Sequence, residues 1–388
     1  MKRMVEVMIF SMKQRCLWFA ALLALIALPV HAQFGSDAPE ADKFDASALQ
    51  QLADRGNADA QFELGVRYLG GEGFGKDEKK AAEWLQKSAD QHNLAAMNAL
   101  GTLHEEGVGV VKDEKKAFEW YEKAAKYGFP LAQQNLAECY ESGKGVDKNP
   151  EEAMKWLERA AHQEFAPSQA LYAWKLEKGS GVEKNTPEAA KWYLKAAQNG
   201  LIRAMTHLAY MYYTGTGVPL DYRRAEAWYR RAARSEDPWA RNDLAWFLSV
   251  CPDETFHDGA TAVEFARSAV DKMQKQDYQV VDTLAAALAR DGKYGEAVQL
   301  QTKALVMFSE DKEKEYSDED RSKLEKELAD RLTKYKEQRA WTEKHPKPES
   351  GVKPLVEDRI LQEEIVPRRK PKTSPKRGED QDPRKPVV

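Results

Sequence analysis

The chain has 388 residues, of which 42% are hydrophobic and 31% are charged, and its formal net charge at pH 7 is −4. This length allows two or three domains, and the modest apolar fraction favours a thin, surface-rich shape over one large core. The near balance of charges excludes a general affinity for nucleic acid, and three cysteines cannot hold together a small disulfide-stapled fold.

Residues 1–32 have the pattern of a secretory signal peptide. Basic residues precede an apolar run over 17–30, and Ala32 supplies the small residue at the predicted cleavage site. The run is shorter than the roughly 20 residues that span a bilayer. We therefore expect an exported chain, periplasmic or secreted, with no integral membrane segment after cleavage. Translation from Met1 and translation from Met12 both fit this pattern.

Residues 33–55 are predicted to form a linker followed by an N-terminal capping helix. Ala48 and Ala53 lie 36 residues before Trp84 and Ala89, which are two positions of the repeat that follows. The spacing predicts a single helix that resembles the second helix of a repeat and covers the first one.

A period of 36 residues runs without insertion or deletion over 56–235 and gives five repeats. The same residue type returns at the same place in every unit. The tryptophan row is Trp84, Trp120, Trp156, Trp192 and Trp228. The glycine row is Gly71, Gly107, Gly143, Gly179 and Gly215. A fixed period of this length predicts a stack of like helical units.

One repeat predicts two helices and a turn. Leu64 and Tyr68 recur at helical spacing in helix A, with Gly65 where a second helix must approach closely. Gly71 ends helix A because glycine adopts positive φ at low cost. Helix B then follows a residue that can accept hydrogen bonds from unpaired amides. These predicted caps are Asp77, Asp113, Asn149, Asn185 and Asp221.

These residues resemble the Sel-like repeat (SLR), a relative of the tetratricopeptide repeat (TPR), over 180 of the 388 residues. His104 and Leu176 depart from its tyrosine row, and Tyr172 departs from its leucine row. The resemblance implies an all-α fold, a right-handed α-α superhelical solenoid of SLR/TPR-like hairpins. It also implies a scaffold or adaptor surface that binds other proteins, without an active site.

The repeat pattern loosens after the fifth unit. Residues 236–308 keep the apolar spacing of TPR-like units, and 309–344 contain a charged amphipathic helix that we expect to dock as a lid. Residues 345–388 are rich in proline and charge and are predicted to be a disordered tail. Basic side chains exceed acidic ones in its last 23 residues, and a solvated tail is the plainer of the two interpretations.

The candidate partner-binding residues come from the resemblance, since TPR-like arrays line their concave groove with positions of helix A. They are Glu105, Glu138, Glu141, Trp174, Glu177, Arg203, Thr206, Tyr210 and Tyr213. The row of three glutamates beside an aromatic patch predicts a basic or amphipathic peptide as partner. The alternative is ordinary solvated glutamates beside a packing tryptophan. Reversing the charge of the glutamate row is expected to weaken capture without unfolding the chain.

Motifs that could carry chemistry have structural explanations. The glycine-rich stretch 71–76 recurs as an inter-helix turn, so it does not predict a phosphate site. The histidines lack metal-ligand spacing. Cys139 and Cys251 are separated by several helices, so we expect two buried thiols rather than a disulfide. We therefore expect no metal, no cofactor and no enzymatic activity.

Two alternatives remain open at this point. One is a cell-envelope enzyme, a hydrolase or a penicillin-binding activity, which Ser309 and Ser350 would serve in Ser-x-x-Lys patterns. Neither serine has the Lys-Thr-Gly partner of such enzymes. The other is an electrostatic binder that attaches to an anionic polymer through the basic tail.

Overall fold

The computed structural model describes residues 46–273, 277–311, 316–353 and 355. Over these ranges the chain forms α-helices and one short 3₁₀ helix, Glu254–Phe256, without any β-strand. The predicted all-α fold class of stacked hairpins is therefore confirmed. The helices are α1 (Ala46–Asp54), α2 (Ala58–Gly70), α3 (Glu78–Asp90), α4 (Leu94–Glu106), α5 (Glu114–Lys126), α6 (Pro130–Ser142), α7 (Pro150–His162), α8 (Ala166–Lys178), α9 (Thr186–Gln198), α10 (Ile202–Thr214), α11 (Tyr222–Ala233), α12 (Pro238–Val250), α13 (Gly259–Lys272), α14 (Tyr278–Arg290), α15 (Tyr294–Glu310) and α16 (Asp318–Lys336).

Helix B of every repeat begins where the sequence predicts it. The side chain of each predicted cap accepts a hydrogen bond from a backbone N–H in the first turn of its helix. The caps are Asp77, Asp113, Asn149, Asn185 and Asp221. These bonds satisfy amides that have no partner inside the helix, and so each cap fixes the register of its repeat.

In the first two repeats, the two helices touch at a glycine of helix A. A Cβ atom built on Gly65 would lie 2.7 Å from Cγ of Leu85, and one built on Gly101 would lie 2.5 Å from the ring of Tyr121. No side chain fits at these two positions without displacing its neighbour. The sequence predicts a close approach of the second helix at Gly65 and its equivalents, and this is confirmed at Gly65 and Gly101.

The loop between helices A and B joins one repeat to the repeat before it. Gly107 ends helix A with a φ of 75°, and Gly109 also has a positive φ of 68°. A Cβ atom on Gly109 would overlap the carbonyl oxygen of Glu78, at the start of the preceding helix B. The loop thus lies directly on the preceding repeat because its second glycine has no side chain.

Buried glutamines form a second link between repeats. Nε2 of Gln61 donates to the carbonyl oxygen of Ala53 at 3.0 Å, and its Oε1 accepts from Nε2 of Gln91 at 2.7 Å. Gln133 and Gln169 repeat this double contact. A buried amide whose donor and acceptor are both paired carries no desolvation penalty from an unmade bond.

The five tryptophans of the repeats share one kind of contact. A basic side chain three residues further along helix B lies over each indole ring. The pairs are Lys87 on Trp84, Lys123 on Trp120, Arg159 on Trp156, Lys195 on Trp192 and Arg231 on Trp228, with charge-to-ring distances of 3.7, 5.0, 4.5, 4.0 and 5.5 Å. Each indole therefore has an equivalent contact within its own helix B.

The chain divides into two compact units. The first comprises residues 1–220 with 347–355, and the second comprises 221–346 with 356–388. In the second unit, helix α16 packs on α15, and Leu328 lies in a cluster with Tyr278 and Phe308. The helix predicted within 309–344 is therefore docked on its own unit.

Several predictions concern residues that the structure does not describe. The signal peptide at 1–32, the linker up to residue 45 and the tail beyond residue 355 lie outside the described residues. The sequence assigns 345–388 to a disordered tail, but the structure describes the beginning of this segment, apart from Pro354, as far as Leu355. A backbone hydrogen bond from Glu349 to Gly215, described below, holds part of it in place.

Candidate functional site

The predicted partner-binding residues all lie in the first unit, on the A helices of repeats two to five. Glu105 is on α4, Glu138 and Glu141 are on α6, and Trp174 and Glu177 are on α8. The remaining ones are on α10, and they are Arg203, Thr206, Tyr210 and Tyr213. We call this set the groove residues. The contacts of each glutamate decide what the set offers to a partner.

Glu105 bridges two repeats. Its Oε2 accepts a hydrogen bond from the hydroxyl of Tyr121 at 3.0 Å, and its other oxygen pairs with Nζ of Lys144 from the next repeat. Burial, with Glu105 as the second cause, raises the pKa of Tyr121 well above its ordinary value, so the hydroxyl remains a donor. The carboxylate of Glu105 is thus neutralised within the chain.

Glu141 has an equivalent partner at a different position. Nζ of Lys175 lies 2.6 Å from its Oε1, and the side chain of Lys175 is only 6% exposed. The same ammonium lies 5.8 Å from the ring centre of Trp174. Glu141 and Trp174, predicted separately, are therefore joined through one buried lysine.

Glu177 has the largest set of partners. Its Oε2 accepts from Nε2 of His207 at 2.7 Å and from the hydroxyl of Tyr193 at 3.2 Å, and Nζ of Lys178 lies 3.9 Å from Oε1. Burial alone would raise the pKa of Glu177, but the hydrogen bond and charge of His207 outweigh it, and the pKa falls below its ordinary value. The ring of His207 also lies 6.4 Å from the ring of Tyr210.

The glutamate row is therefore a row of bridges between successive repeats. Each carboxylate that the sequence presents as an acidic stripe has a basic partner from the following repeat. Lys144, Lys175 and His207 lie 39, 34 and 30 residues after their glutamates. No single row of the repeat contains these partners, and for that reason the period did not reveal them.

The other groove residues differ in how they meet solvent. Trp174 and Tyr210 are half-buried, Arg203 is exposed, and Tyr213 is only 3% exposed. Oγ1 of Thr206 donates to the carbonyl oxygen of Arg203 within its own helix at 3.2 Å. The side chain of Glu138 is 58% exposed and lies 3.6 Å from Lys144. The solvent-accessible groove residues are thus two aromatic side chains, Trp174 and Tyr210, with one basic and one acidic side chain, Arg203 and Glu138.

The described residues offer little for catalysis. Cys139 and Cys251 are both buried, and no disulfide joins them, as predicted. Burial, aided by Glu105, raises the pKa of the Cys139 thiol to about 12, so it is not a ready nucleophile. Oγ of Ser309 donates to the carbonyl oxygen of Val306.

Neither a metal site nor a membrane span is found in the part of the chain that the structure describes. Over 46–273, 277–311 and 316–353, no three histidine, cysteine or acidic side chains gather to hold a metal ion. Among the helices that are described, none is both long enough and apolar enough to cross a bilayer.

Comparison with known proteins identifies the repeat. The model of the family described as Sel1 repeat matches residues 58–93, 94–128, 130–165, 166–201 and 202–237. No curated protein is similar enough to count as a match.

Two solved structures share the fold. One is a protective antigen of uropathogenic Escherichia coli strains that displays an SLR fold, with 28% identity and a TM-score of 0.56. The alignment covers 66% of this chain and 56% of the antigen, which is less than two thirds of that relative's length. The other is a Sel1 repeat protein from Oxalobacter formigenes, with 29% identity, a TM-score of 0.53, and coverage of 58% of this chain and 94% of that one.

The five matched segments coincide with the hairpins whose caps, loop glycines and tryptophan row are described above. Residues 58–237 therefore consist of five Sel1 repeats, and the solved structures that share this fold are themselves Sel1-repeat proteins.

Proposed function

We propose that this chain is an exported, non-enzymatic adaptor that binds a protein or peptide on the groove residues of its Sel1 repeats. Sel1 and TPR-like repeats commonly serve as protein-interaction scaffolds, because stacked helices present one continuous surface. The observation that carries the proposal is the set of bridges from Glu105, Glu141 and Glu177 to the next repeat. They connect the A helix of one repeat to the A helix, or to the loop after it, of the next repeat.

The chemistry of the groove residues favours an amphipathic partner over a purely basic one. Lys144 and Lys175 already pair with Glu105 and Glu141, and His207 hydrogen-bonds Glu177, so a basic partner would have to compete with these three side chains. The aromatic rings of Trp174 and Tyr210 remain half-accessible. Aromatic side chains supply much of the binding energy at protein interfaces. An apolar peptide face with flanking charges fits this surface best.

A photo-crosslinking experiment tests the adaptor function. The crosslinking amino acid p-benzoylphenylalanine replaces Tyr210, and a control chain carries it at Tyr127, which is 62% exposed and outside the groove residues. Crosslinking in the native cell envelope, followed by mass spectrometry, is expected to give a discrete protein adduct at Tyr210. The adduct should be lost with Trp174→Ala. Identical adducts at both positions would contradict the proposal.

Export is part of the same proposal and has its own test. The signal-peptide pattern of residues 1–32 supports it, although this segment lies outside the described residues. The mature chain recovered from a periplasmic or culture-medium fraction is expected to begin at Gln33. A cytoplasmic chain with an intact N-terminus would contradict export, and it would leave the groove proposal in place.

Neither rival function gains support from the described residues. The thiol of Cys139 is buried, and the Ser-x-x-Lys pattern at Ser309 involves Lys312, which is not described. Binding of an anionic polymer would depend on the basic tail, most of which is not described either. Removing the residues after 355 and measuring retention on an anionic polymer tests that alternative separately.

A further inference from the structure

A segment from the C-terminal region contacts the fifth repeat within the first unit. The backbone N–H of Glu349 donates to the carbonyl oxygen of Gly215 at 3.0 Å. In return, the backbone N–H of Gly217 donates to Oε2 of Glu349, also at 3.0 Å. The contact joins residues 132 positions apart. Backbone and side chain of one glutamate thus recognise the two loop glycines, and the second bond is charge-assisted.

The proline before this glutamate fits closely against Gly215. A Cβ atom on Gly215 would lie 2.5 Å from Cβ of Pro348. Gly143 has the same place in the third repeat and a similar φ, 78° against 71°, but a Cβ there would meet only Lys148 and Val146 of its own loop. The absence of a side chain at Gly215 therefore makes room for the incoming proline.

The segment contacts the loop in the manner of a peptide ligand. Residues 347–353 contain no helix or strand, and both Pro348 and Glu349 remain exposed. Leu355, by contrast, is only 8% exposed. Recognition through main-chain hydrogen bonds with a fitted side chain at intervals is how extended peptides are commonly bound. The attachment is slight in extent, so an equivalent peptide from another chain could take its place.

We propose that the loop Gly215–Gly217 is a binding site for an extended peptide that contains Pro-Glu, and that residues 347–355 occupy it in cis. The covalent connection gives this segment a high effective concentration at the loop. A partner with a Pro-Glu segment therefore binds only when it displaces the chain's own copy. This inference deepens the proposed function and rests on it, since it assumes that the repeats receive a peptide partner.

Binding of the segment in trans tests the inference. The probe is a fluorescein-labelled peptide with the sequence of residues 345–355, followed by fluorescence anisotropy. The full chain and a chain ending at Pro346 are compared. The shortened chain is expected to bind the peptide at least tenfold more tightly than the full chain. Equal affinity of the two chains, or no binding by the shortened chain, would overturn the inference.

Matched variants separate recognition from folding. A probe with Glu349→Gln is expected to bind the shortened chain several-fold more weakly, and this comparison alters no residue of the protein. In the shortened chain, Gly215→Ala should abolish binding, whereas Gly143→Ala imposes similar backbone strain and should leave binding intact. Equal effects of the two alanines, or full affinity of the glutamine probe, would count against the site.

The outcome is distinguishable from failure of the adaptor function. If the peptide does not bind but the Tyr210 adduct forms, the groove proposal stands and only the Pro-Glu site is lost. If the peptide binds but no adduct forms at Tyr210, the loop is a peptide site and the aromatic pair is not the partner surface.

Discussion

Glu177 is the residue at which folding and protonation are most closely linked in the first unit. Burial opposes its charge, yet His207 lowers its pKa below the ordinary value of 4.5. A carboxylate with a depressed folded-state pKa contributes stability above its unfolded pKa, and the contribution is lost as the pH falls through the folded pKa. The loss therefore belongs to the acidic range below about 4.5.

We expect Glu177→Gln to remove this part of the pH dependence. The free energy of unfolding of the variant should be about 1–3 kcal/mol lower at pH 7, because a buried hydrogen-bonded charge is lost. The difference from the unaltered chain should shrink as the pH is lowered below about 4.5. Urea unfolding at several pH values measures both effects. Glu188→Gln, in an exposed ion pair with Lys191, is the control and should change little. Parallel pH profiles for the two variants would contradict the assignment.

For single residues, the sequence predicts the place of a side chain in the repeat better than it predicts the side chains that it contacts. The period correctly identifies Glu105, Glu141 and Glu177 as equivalent, because identical spacing produces identical places on helix A. It gives no hint that each is paired, since the basic partners belong to three different rows. The pairing depends on which basic side chain of the next repeat is long enough and close enough to contact the glutamate. The residues found at one position of the repeat do not contain that information.

The loop between helices A and B is the element that seats one repeat on another. We expect Gly109→Ala to destabilise the chain more than Gly128→Ala. Both glycines have positive φ, 68° and 89°, so each alanine should cost about 1–2 kcal/mol in backbone strain. Only the alanine at 109 also overlaps a carbonyl oxygen, and nothing lies within 4 Å of a Cβ at 128.

Urea unfolding of the two glycine variants measures the difference. The free energy of unfolding of the Gly109→Ala variant should fall by about 1–3 kcal/mol more than that of the Gly128→Ala variant, which is the usual cost of overpacking a close contact. Equal losses would mean that the loop does not press on the preceding helix start. Far-ultraviolet circular dichroism establishes that both variants keep their helices.

For the helices and loops, the sequence predicts contacts between residues that are close in the chain but not contacts between distant ones. Caps such as Asp77 and the glycine that ends helix A act on amides and carbonyls within a few residues, so the sequence displays them directly. The contacts of Gln61 with Ala53 and Gln91 went unnoticed, because methionine takes this place in two repeats at Met97 and Met205. Because the residue type at this position varies, the sequence does not indicate that the glutamines make hydrogen bonds to the neighbouring helices.

At the scale of the whole molecule, the glutamate bridges change one expectation drawn from the sequence. Reversing Glu105, Glu141 and Glu177 together to lysine was expected to leave the fold intact. The structure instead predicts a clear loss of stability, because two of the new ammonium groups would face an existing lysine and the third would replace the carboxylate that His207 hydrogen-bonds. Lys175, at 6% exposure, could not turn to water.

We expect the triple reversal to lower the free energy of unfolding by about 3–5 kcal/mol, the range for breaking one fully buried ion pair, because three partly buried contacts are broken together. Thermal and urea unfolding of the full chain measure this loss. Arg203→Glu is the control, since its exposed side chain should shift stability by less than about 0.5 kcal/mol. It is also the better test of the groove, because it alters surface charge while keeping the bridges. An unaffected triple variant would mean that the bridges contribute nothing.

The period predicts the five hairpins of this molecule because each unit must bury its apolar face against a like unit. The contact of Glu349 with Gly215 could not be predicted in that way. It depends on a segment without hydrophobic periodicity that meets a distant loop through one backbone hydrogen bond to Gly215 and one side-chain hydrogen bond from Gly217. Proline and charge in that segment correctly indicate the absence of helix, but they do not reveal what the chain touches.

The close approach of Gly109, Gly145 and Gly217 to the start of the preceding helix B limits how such an array can lengthen during evolution. Duplicating one whole unit of 36 residues would recreate every cap, seat and glycine where it is needed. A single inserted residue would instead displace a glycine from the carbonyl group it must clear, and the fault would separate two neighbours. Growth by complete copies is thus favoured, and this explains why the spacing has stayed uniform through five of them.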